Sequence, residues 1–227
     1  MEEKNEEKFS IDTENLKNET VETAKKLKES VKGTNIKEET KAAKGFIVEM
    51  FKNPLEKIIE VVNDNSGKYL KTALFLIIIW TIVVFVGSTY STIKLWGFSR
   101  VFSNILTVLK RILAPLLGIL VYSLIVLVLN KKNKKSLTDI IATVTITQLP
   151  LILASVVSLL TIISSKISMI TSPFSTLCSI VAIVLGYFGF KELYAEEDNT
   201  VFIKKYVLIQ LVYQVAYIVI GLLGIYI

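Results

Sequence analysis

Long uncharged stretches, each bounded by a few basic residues, leave this 227-residue sequence few ways to fold. From residue 72 onward, twelve basic and five acidic residues sit in short clusters between apolar stretches of about 18 to 24 residues. A helix that rises ~1.5 Å per residue needs ~20 apolar residues to cross the ~30 Å hydrocarbon core of a bilayer. The pattern therefore predicts an all-α, polytopic membrane protein with a five-span helical bundle. The spans are predicted at residues 72–90, 112–130, 140–163, 167–190 and 206–227.

The start of the second span is set by two adjacent charges, Lys110 and Arg111. Each charged side chain at the centre of a membrane helix costs ~2.5 to 3.5 kcal/mol, so burying both would cost ~5 to 7 kcal/mol. We therefore expect the span to begin at Ile112. The apolar residues 101–109 are then predicted to be a separate interfacial segment.

The part of the chain before the first span divides into two segments. Residues 1–44 hold ten Lys and eleven acidic residues, and no aromatic residue follows Phe9 among them. This composition predicts a flexible charged tail, disordered or transiently helical rather than a coiled coil. In residues 45–71, apolar and charged residues alternate near helical spacing, and Pro54 predicts a break between two short amphipathic turns. These turns either lie on the membrane surface or pack on the protein itself, and residues 72–227 form the membrane domain.

Orientation follows from the basic residues near the ends of the predicted spans. With the N-terminus in the cytoplasm, eleven basic residues near span ends lie inside and five lie outside. Cytoplasmic loops carry the excess of Lys and Arg, so we expect a cytoplasmic N-terminus and a C-terminus outside. Lys outnumbers Arg 24 to 2, which is typical of a protein from an AT-rich genome. This favours a bacterial cell, and therefore its plasma membrane.

Chemical motifs are absent from the sequence. It contains no His, one Cys, and no phosphate-binding loop, dinucleotide fingerprint, zinc-protease motif or nucleophile elbow. We therefore expect no catalytic residue, no cofactor and no metal site, and no enzymatic activity. The basic residues bound apolar stretches and do not gather on one polar face, so nucleic acid is not an expected partner. The five predicted spans contain no ionisable residue except tyrosine and cysteine, whereas transporters usually keep charged groups there.

A few polar, small and proline residues within the spans are the candidate site. Such residues let membrane helices approach closely, hydrogen-bond or kink. We expect them to form helix-packing seams, and the alternative is a path for a solute along spans three and five. The candidates are Pro115, Thr147, Gln148, Pro150, Gln210, Gln214 and Gly221.

The order of several short motifs resembles that of the Yip family of Ypt/Rab-GTPase-interacting membrane proteins and their bacterial relatives. The motifs are FKNP at 51–54, KRILAP at 110–115, KSLTD at 135–139 and QLPL at 148–151. The resemblance covers roughly residues 46–227. It implies five spans, a cytosolic N-terminus and, in eukaryotic members, a part in vesicle traffic.

Taken with the residue patterns, the resemblance predicts a non-enzymatic membrane-organising or adaptor protein. Its expected partners are the lipid bilayer and a membrane or cytoplasmic protein, including a second copy of the chain. The alternative is a channel or small-solute permease that uses the polar faces of spans three and five.

Overall fold

The computed structural model describes residues 13–31, 36–64, 66–98, 105–130, 135–194 and 198–222. In these residues the chain folds into helices with no strand, so the all-α prediction is confirmed there. Two short 3₁₀ turns, Leu159–Ile162 and Ser165–Ile167, connect the seventh helix to the eighth. The α-helices are α1 Thr13–Val31, α2 Ile36–Lys52, α3 Pro54–Val62, α4 Lys68–Trp96, α5 Ile105–Leu129, α6 Leu137–Thr147, α7 Leu149–Ser158, α8 Ser168–Leu193 and α9 Asn199–Leu222.

Four of these helices, α4, α5, α8 and α9, are long and apolar enough to cross a membrane. Helix α6 and the segment Leu149–Ile162 pass the same test only when taken together, and they are bent by 47° relative to each other. The lengths and compositions are those of a multi-pass membrane protein with four spans, or five if the bent pair counts as one.

The second candidate span begins earlier than predicted. Helix α5 starts at Ile105 and runs through Lys110 and Arg111 without a break, so 105–109 belong to the same helix rather than to a separate segment. The guanidinium of Arg111 donates to Ser88 Oγ on α4 at 3.5 Å. The insertion cost limits which residues lie in hydrocarbon but does not prevent a helix from extending beyond it. The predicted interfacial residues 101–104 fall outside the described ranges.

The N-terminal region is also more helical than its composition suggested. Residues 13–31 of the predicted tail form α1, and α2 runs through Gly45, where the sequence predicted a boundary. A glycine inside a helix costs only ~1 kcal/mol relative to alanine. The burial of Phe46 and Met50 against the bundle offsets that cost. The break at Pro54 is present, since α2 ends at Lys52 and α3 begins at the proline.

The long helices alternate in direction. Arg111 near the start of α5 lies beside Ser88 near the end of α4, so these two helices are antiparallel. Trp80 and Tyr90 of α4 donate hydrogen bonds to Ser155 Oγ and the Ile162 carbonyl, in the same chain direction, so α4 and α7 are parallel. We call the end of the bundle at Lys68, Leu129, Leu137, Leu193 and Asn199 the proximal end, and the other end distal.

Helix α6 is enclosed at the proximal end. Every residue of α6 except Asp139 is buried, and the helix contacts α1, α3, α4, α5 and α8. Ser136 caps it: Asp139 N–H donates to Ser136 Oγ at 3.4 Å and Ser136 N–H donates to Asp139 Oδ2 at 3.1 Å. A helix that is apolar on all sides must be covered by lipid or by other helices, and α6 is covered by helices. The buried Ile58, Val61 and Val62 show that part of α3 packs on the protein.

Candidate functional site

The central feature of the bundle is the interruption between α6 and α7 at Gln148. Gln148 N–H donates to the Val144 carbonyl at 3.1 Å, and the Gln148 carbonyl accepts from the N–H groups of Leu151 and Ile152 at 2.9 and 3.2 Å. One helix therefore ends and the next begins at the same residue. Pro150 lies in the first turn of α7, where its missing N–H would have had no helical partner. The proline starts α7 in its new direction.

Three threonines of α6 form hydrogen bonds with carbonyl groups of their own helix. Thr143, Thr145 and Thr147 donate their hydroxyl protons to the carbonyls of Asp139, Ile141 and Val144 at 2.9, 2.7 and 2.8 Å. Hydroxyl groups used in this way need no partner on a neighbouring helix. Thr147 therefore contributes its methyl group to the seam between helices, whereas the sequence pattern had suggested an interhelical hydrogen bond.

A glycine on α8 makes the close approach at this seam. A Cβ added to Gly189 would lie 3.0 Å from Thr147 Cγ2 and 3.3 Å from both Thr143 Cγ2 and Ile58 Cγ2. Helices α3, α6 and α8 thus meet at one position that has no room for a side chain. The sequence gives no signal at Gly189, because it lies three residues from Gly186 and not four, as in the small-residue motif for close helix approach.

A cluster of tyrosines holds α9 to the bundle. Gln210 Nε2 on α9 donates to the Tyr122 hydroxyl on α5. The Tyr122 ring stacks on Tyr213 with centroids 4.4 Å apart. Tyr206 donates to the Ile183 carbonyl on α8 at 2.6 Å. These contacts make Gln210 part of a packed interface between α9 and two neighbours.

The other predicted candidates are scattered over the bundle. Pro115 is buried inside α5, which continues through it to Leu129. Gln214 is exposed on α9, one turn beyond Gln210. Gly221 lies near the end of α9, where an added Cβ would meet nothing within 4 Å. The structure therefore brings Thr147, Gln148 and Pro150 together, whereas the stripe predicted on span five divides into one packed residue and two that face outward.

Helices α2 and α3, which we call the platform, carry a charged cluster around Lys57. Lys57 Nζ lies 2.6 Å from both Glu49 Oε2 and Glu60 Oε2, and Tyr69 donates its hydroxyl to Glu60. The ammonium also lies over the rings of Phe46 and Tyr69, at 5.8 and 5.5 Å from their centroids.

The protonation of this cluster follows from its contacts. Burial lowers the pKa of Lys57, but its hydrogen bonds with the two carboxylates and with the tyrosine raise the pKa above the ordinary lysine value. The hydrogen bond from Lys57 lowers the pKa of Glu60. The lysine therefore stays charged near neutral pH and joins α2 to α3.

The platform is tied to the bundle at its other end as well. Lys135 Nζ donates to the carbonyl of Val62, the last residue of α3, at 2.7 Å. Asn63 Nδ2 donates to Glu192 Oε1 at the end of α8, at 3.2 Å. The ends of α3, α6 and α8 are thus connected through polar groups as well as through the Gly189 seam.

Covalent chemistry and metal binding find little support in the described ranges. Cys178 is buried in α8, and burial of this kind keeps a thiol unreactive. No group of three or more His, Cys, Asp or Glu residues that could hold a metal ion is found in this part of the chain. The arrangement instead provides close helix packing around α6 and a charged platform at the proximal end.

Comparison of the chain with protein-family models, with curated proteins and with solved structures finds no match. The Yip-family resemblance rests on the order of the four sequence motifs and stays a prediction. Two of those motifs lie at the features described above: FKNP at the junction of α2 and α3, and QLPL at the interruption between α6 and α7.

Proposed function

We propose that this chain is a non-enzymatic membrane protein with a membrane-organising or adaptor role, as its resemblance to the Yip family implies. The observation that carries the proposal is the enclosure of α6 by five other helices, with the hydroxyls of three of its four threonines bonded to its own backbone. A helix packed in this way acts as a structural centre. Its polar groups are occupied and do not face an open passage.

The surfaces available to partners are of two kinds. Helices α1 and α2 expose Lys and Glu side chains at the proximal end, where a soluble protein could dock. Helices α4, α5, α8 and α9 expose many large apolar side chains, which face lipid or other membrane proteins. An adaptor would use the charged surface for a soluble partner and the apolar surface for the membrane. The proposed partners are therefore the bilayer and a membrane or cytoplasmic protein, a second copy of the chain included.

The proposed arrangement in the membrane has five spans, with the bent pair α6–α7 as the third. The N-terminus then lies in the cytoplasm and the C-terminus outside, in the plasma membrane of a bacterium. The basic count of eleven against five near span ends supports this orientation. The alternating directions of α4, α5, α7, α8 and α9 support a count of five, because each helix reverses the direction of the one before it.

A topology experiment tests this arrangement. A reporter that is active only in the cytoplasm should be active when fused at Met1, within 131–135 or near Glu197. It should be inactive when fused at Arg100 or after Ile227. Activity after Ile227 would contradict five spans and would agree with four, and an inactive fusion at Met1 would contradict the orientation.

A permease is the second candidate function, and the interruption at Gln148 is the observation that favours it. Transporters often bind solutes where a membrane helix is broken, because the break frees backbone groups. On α5, Ser123 is fully buried, and its hydroxyl has no hydrogen-bond partner among the residues that the structure describes. Buried polar groups in proteins nearly always have a hydrogen-bond partner, and a bound solute or water would supply one for Ser123.

Replacing Thr147 with Val and Gln148 with Leu in one variant separates the two functions. Valine keeps the methyl group that packs beside Gly189 but removes the hydroxyl, and leucine removes the amide at the break. The Thr147 hydroxyl bonds to its own helix, and even an interhelical hydrogen bond in a membrane is worth only ~0.6 kcal/mol on average, so for an adaptor we expect a small change in melting temperature. We also expect no uptake of glycerol, sugars or amino acids by proteoliposomes of either the parent or the variant.

Gln214→Leu, at an exposed position on α9, is the matched control for handling and reconstitution. Uptake by the parent and by the control that is lost in the double variant, without a change in melting, would contradict the adaptor proposal. That result would establish a solute path at the helix break.

A further inference from the structure

The platform also has large apolar side chains that the protein does not cover. Val48, Phe51, Leu55 and Ile59 form a row along α2 and α3, and they are exposed by 46%, 70%, 43% and 45%. These residues are distinct from those that pack on the bundle, such as Phe46 and Ile58. Burial of large apolar side chains is favourable, so four such residues in a row favour an apolar neighbour.

This row continues into the exposed surface of a candidate span. Leu55 and Ile59 line a groove of about 270 Å³ together with Phe188 and Lys191 of α8. Phe188 is itself partly exposed, and further along α8 the exposed residues are Val184, Val181 and Ile180. The apolar surface of the platform and the apolar surface of the span are thus continuous through the groove.

The depth of α3 along the bundle agrees with a position at the membrane boundary. The Ile58 side chain packs at Gly189, four residues before the end of α8. At ~1.5 Å per residue this places α3 beside the last ~6 Å of that helix. Exposed lysines lie near the same ends of two candidate spans, with Lys191 two residues beyond Gly189 on α8 and Lys204 in the second turn of α9. Lysines at helix ends extend their ammonium groups to the lipid headgroups.

We propose that the platform is an interfacial membrane anchor: the row of Val48, Phe51, Leu55 and Ile59 lies in the boundary between acyl chains and headgroups. The leaflet concerned is the one at the proximal end of the bundle. Other residues of the same two helices, among them Phe46, Ile58 and Val62, are buried where the platform packs on α4, α6 and α8. One short helix pair thus bridges the protein core and the lipid, which fixes the depth of the bundle in the membrane. A protein partner or a second copy of the chain are the other occupants that the row could have.

Site-directed spin labelling of the full chain tests this anchor. Cys178→Ala removes the one native cysteine, and single cysteines are then introduced as Phe51→Cys and Ile59→Cys. Glu38→Cys, exposed on the same helix as Phe51 but on another face, is the matched control. The labelled proteins are reconstituted at high lipid-to-protein ratio in vesicles of phosphatidylethanolamine and phosphatidylglycerol. Collision rates with oxygen and with a water-soluble nickel chelate are measured.

At residues 51 and 59 we expect the ratio of oxygen to nickel accessibility to exceed that of the control several-fold. All the labelled positions are on exposed surface, so the fold should be retained, and the melting temperature in detergent checks this. Ratios equal to that of the control would overturn the proposal, because the row would then face water. Spin–spin broadening would overturn it in favour of a second copy. Labels shielded from both reagents would overturn it in favour of protein cover.

Discussion

Gly189→Leu is expected to abolish the folded bundle. The added side chain would have to occupy the space already filled by Thr147, Thr143 and Ile58, which belong to two other helices. All three neighbours are β-branched, so their χ1 angles cannot turn away freely. The helices α3, α6 and α8 would have to move apart. The contact between the platform and the helix break at Gln148 would then be lost as well. Size-exclusion chromatography and thermal unfolding in detergent measure the loss.

The smaller change Gly189→Ala should destabilise the bundle in the same way but to a lesser degree. Its Cβ would lie 3.0 Å from Thr147 Cγ2, so the seam must shift. Such overpacking costs ~1 to 3 kcal/mol, which corresponds to a fall in melting temperature of ~2 to 4 °C for each kcal/mol. Gly45→Ala is the matched control, because it is also a glycine inside a helix but has nothing within 4 Å of the added Cβ. We expect it to be neutral or to stabilise by up to ~1 kcal/mol. A Gly189→Leu variant that unfolds at the parent temperature would show that the seam is not closely packed.

Phe202→Ala is expected to destabilise the attachment of α9 by ~3 to 5 kcal/mol, the usual cost of truncating a buried phenylalanine. Helix α9 has few buried residues, namely Phe202, Tyr206 and Ile209. The Phe202 ring is 1% exposed and lies 5.3 Å from Tyr187 and 5.9 Å from Tyr194, measured between centroids. Its removal therefore takes away a large part of the interface that holds the last candidate span.

Two measurements follow this change. The melting temperature in detergent should fall, and trypsin should cleave at Lys204 faster because the start of α9 opens more often. Val201→Ala is the matched control in the same turn, since Val201 is 47% exposed and its truncation leaves no cavity. If Phe202→Ala and Val201→Ala gave the same melting temperature and the same cleavage rate, α9 would not be held by its aromatic contacts.

Only part of the candidate site could be predicted from the sequence. Thr147, Gln148 and Pro150 stand out in the sequence because polar residues and proline are unusual inside a membrane span, and they lie at the one sharp bend between apolar helices in the part of the chain that the structure describes. Gly189 was missed, since its role depends on what faces it from α3 and α6. Likewise, Gln210 and Gln214 are equivalent in sequence, but only the first reaches Tyr122.

The sequence by itself determined the helical character of the chain, the presence of several membrane-long apolar helices and the break at Pro54. These features depend on hydrogen bonds within four residues and on the length of apolar stretches, both of which can be read locally. Tertiary structure decided that α5 begins at Ile105, that α1 and α2 are helices docked on the bundle, and which face of each span packs inward. A span that is apolar on all sides gives no periodic signal for its buried face. That choice depends on the shapes of neighbouring helices, and here on the space left beside one glycine.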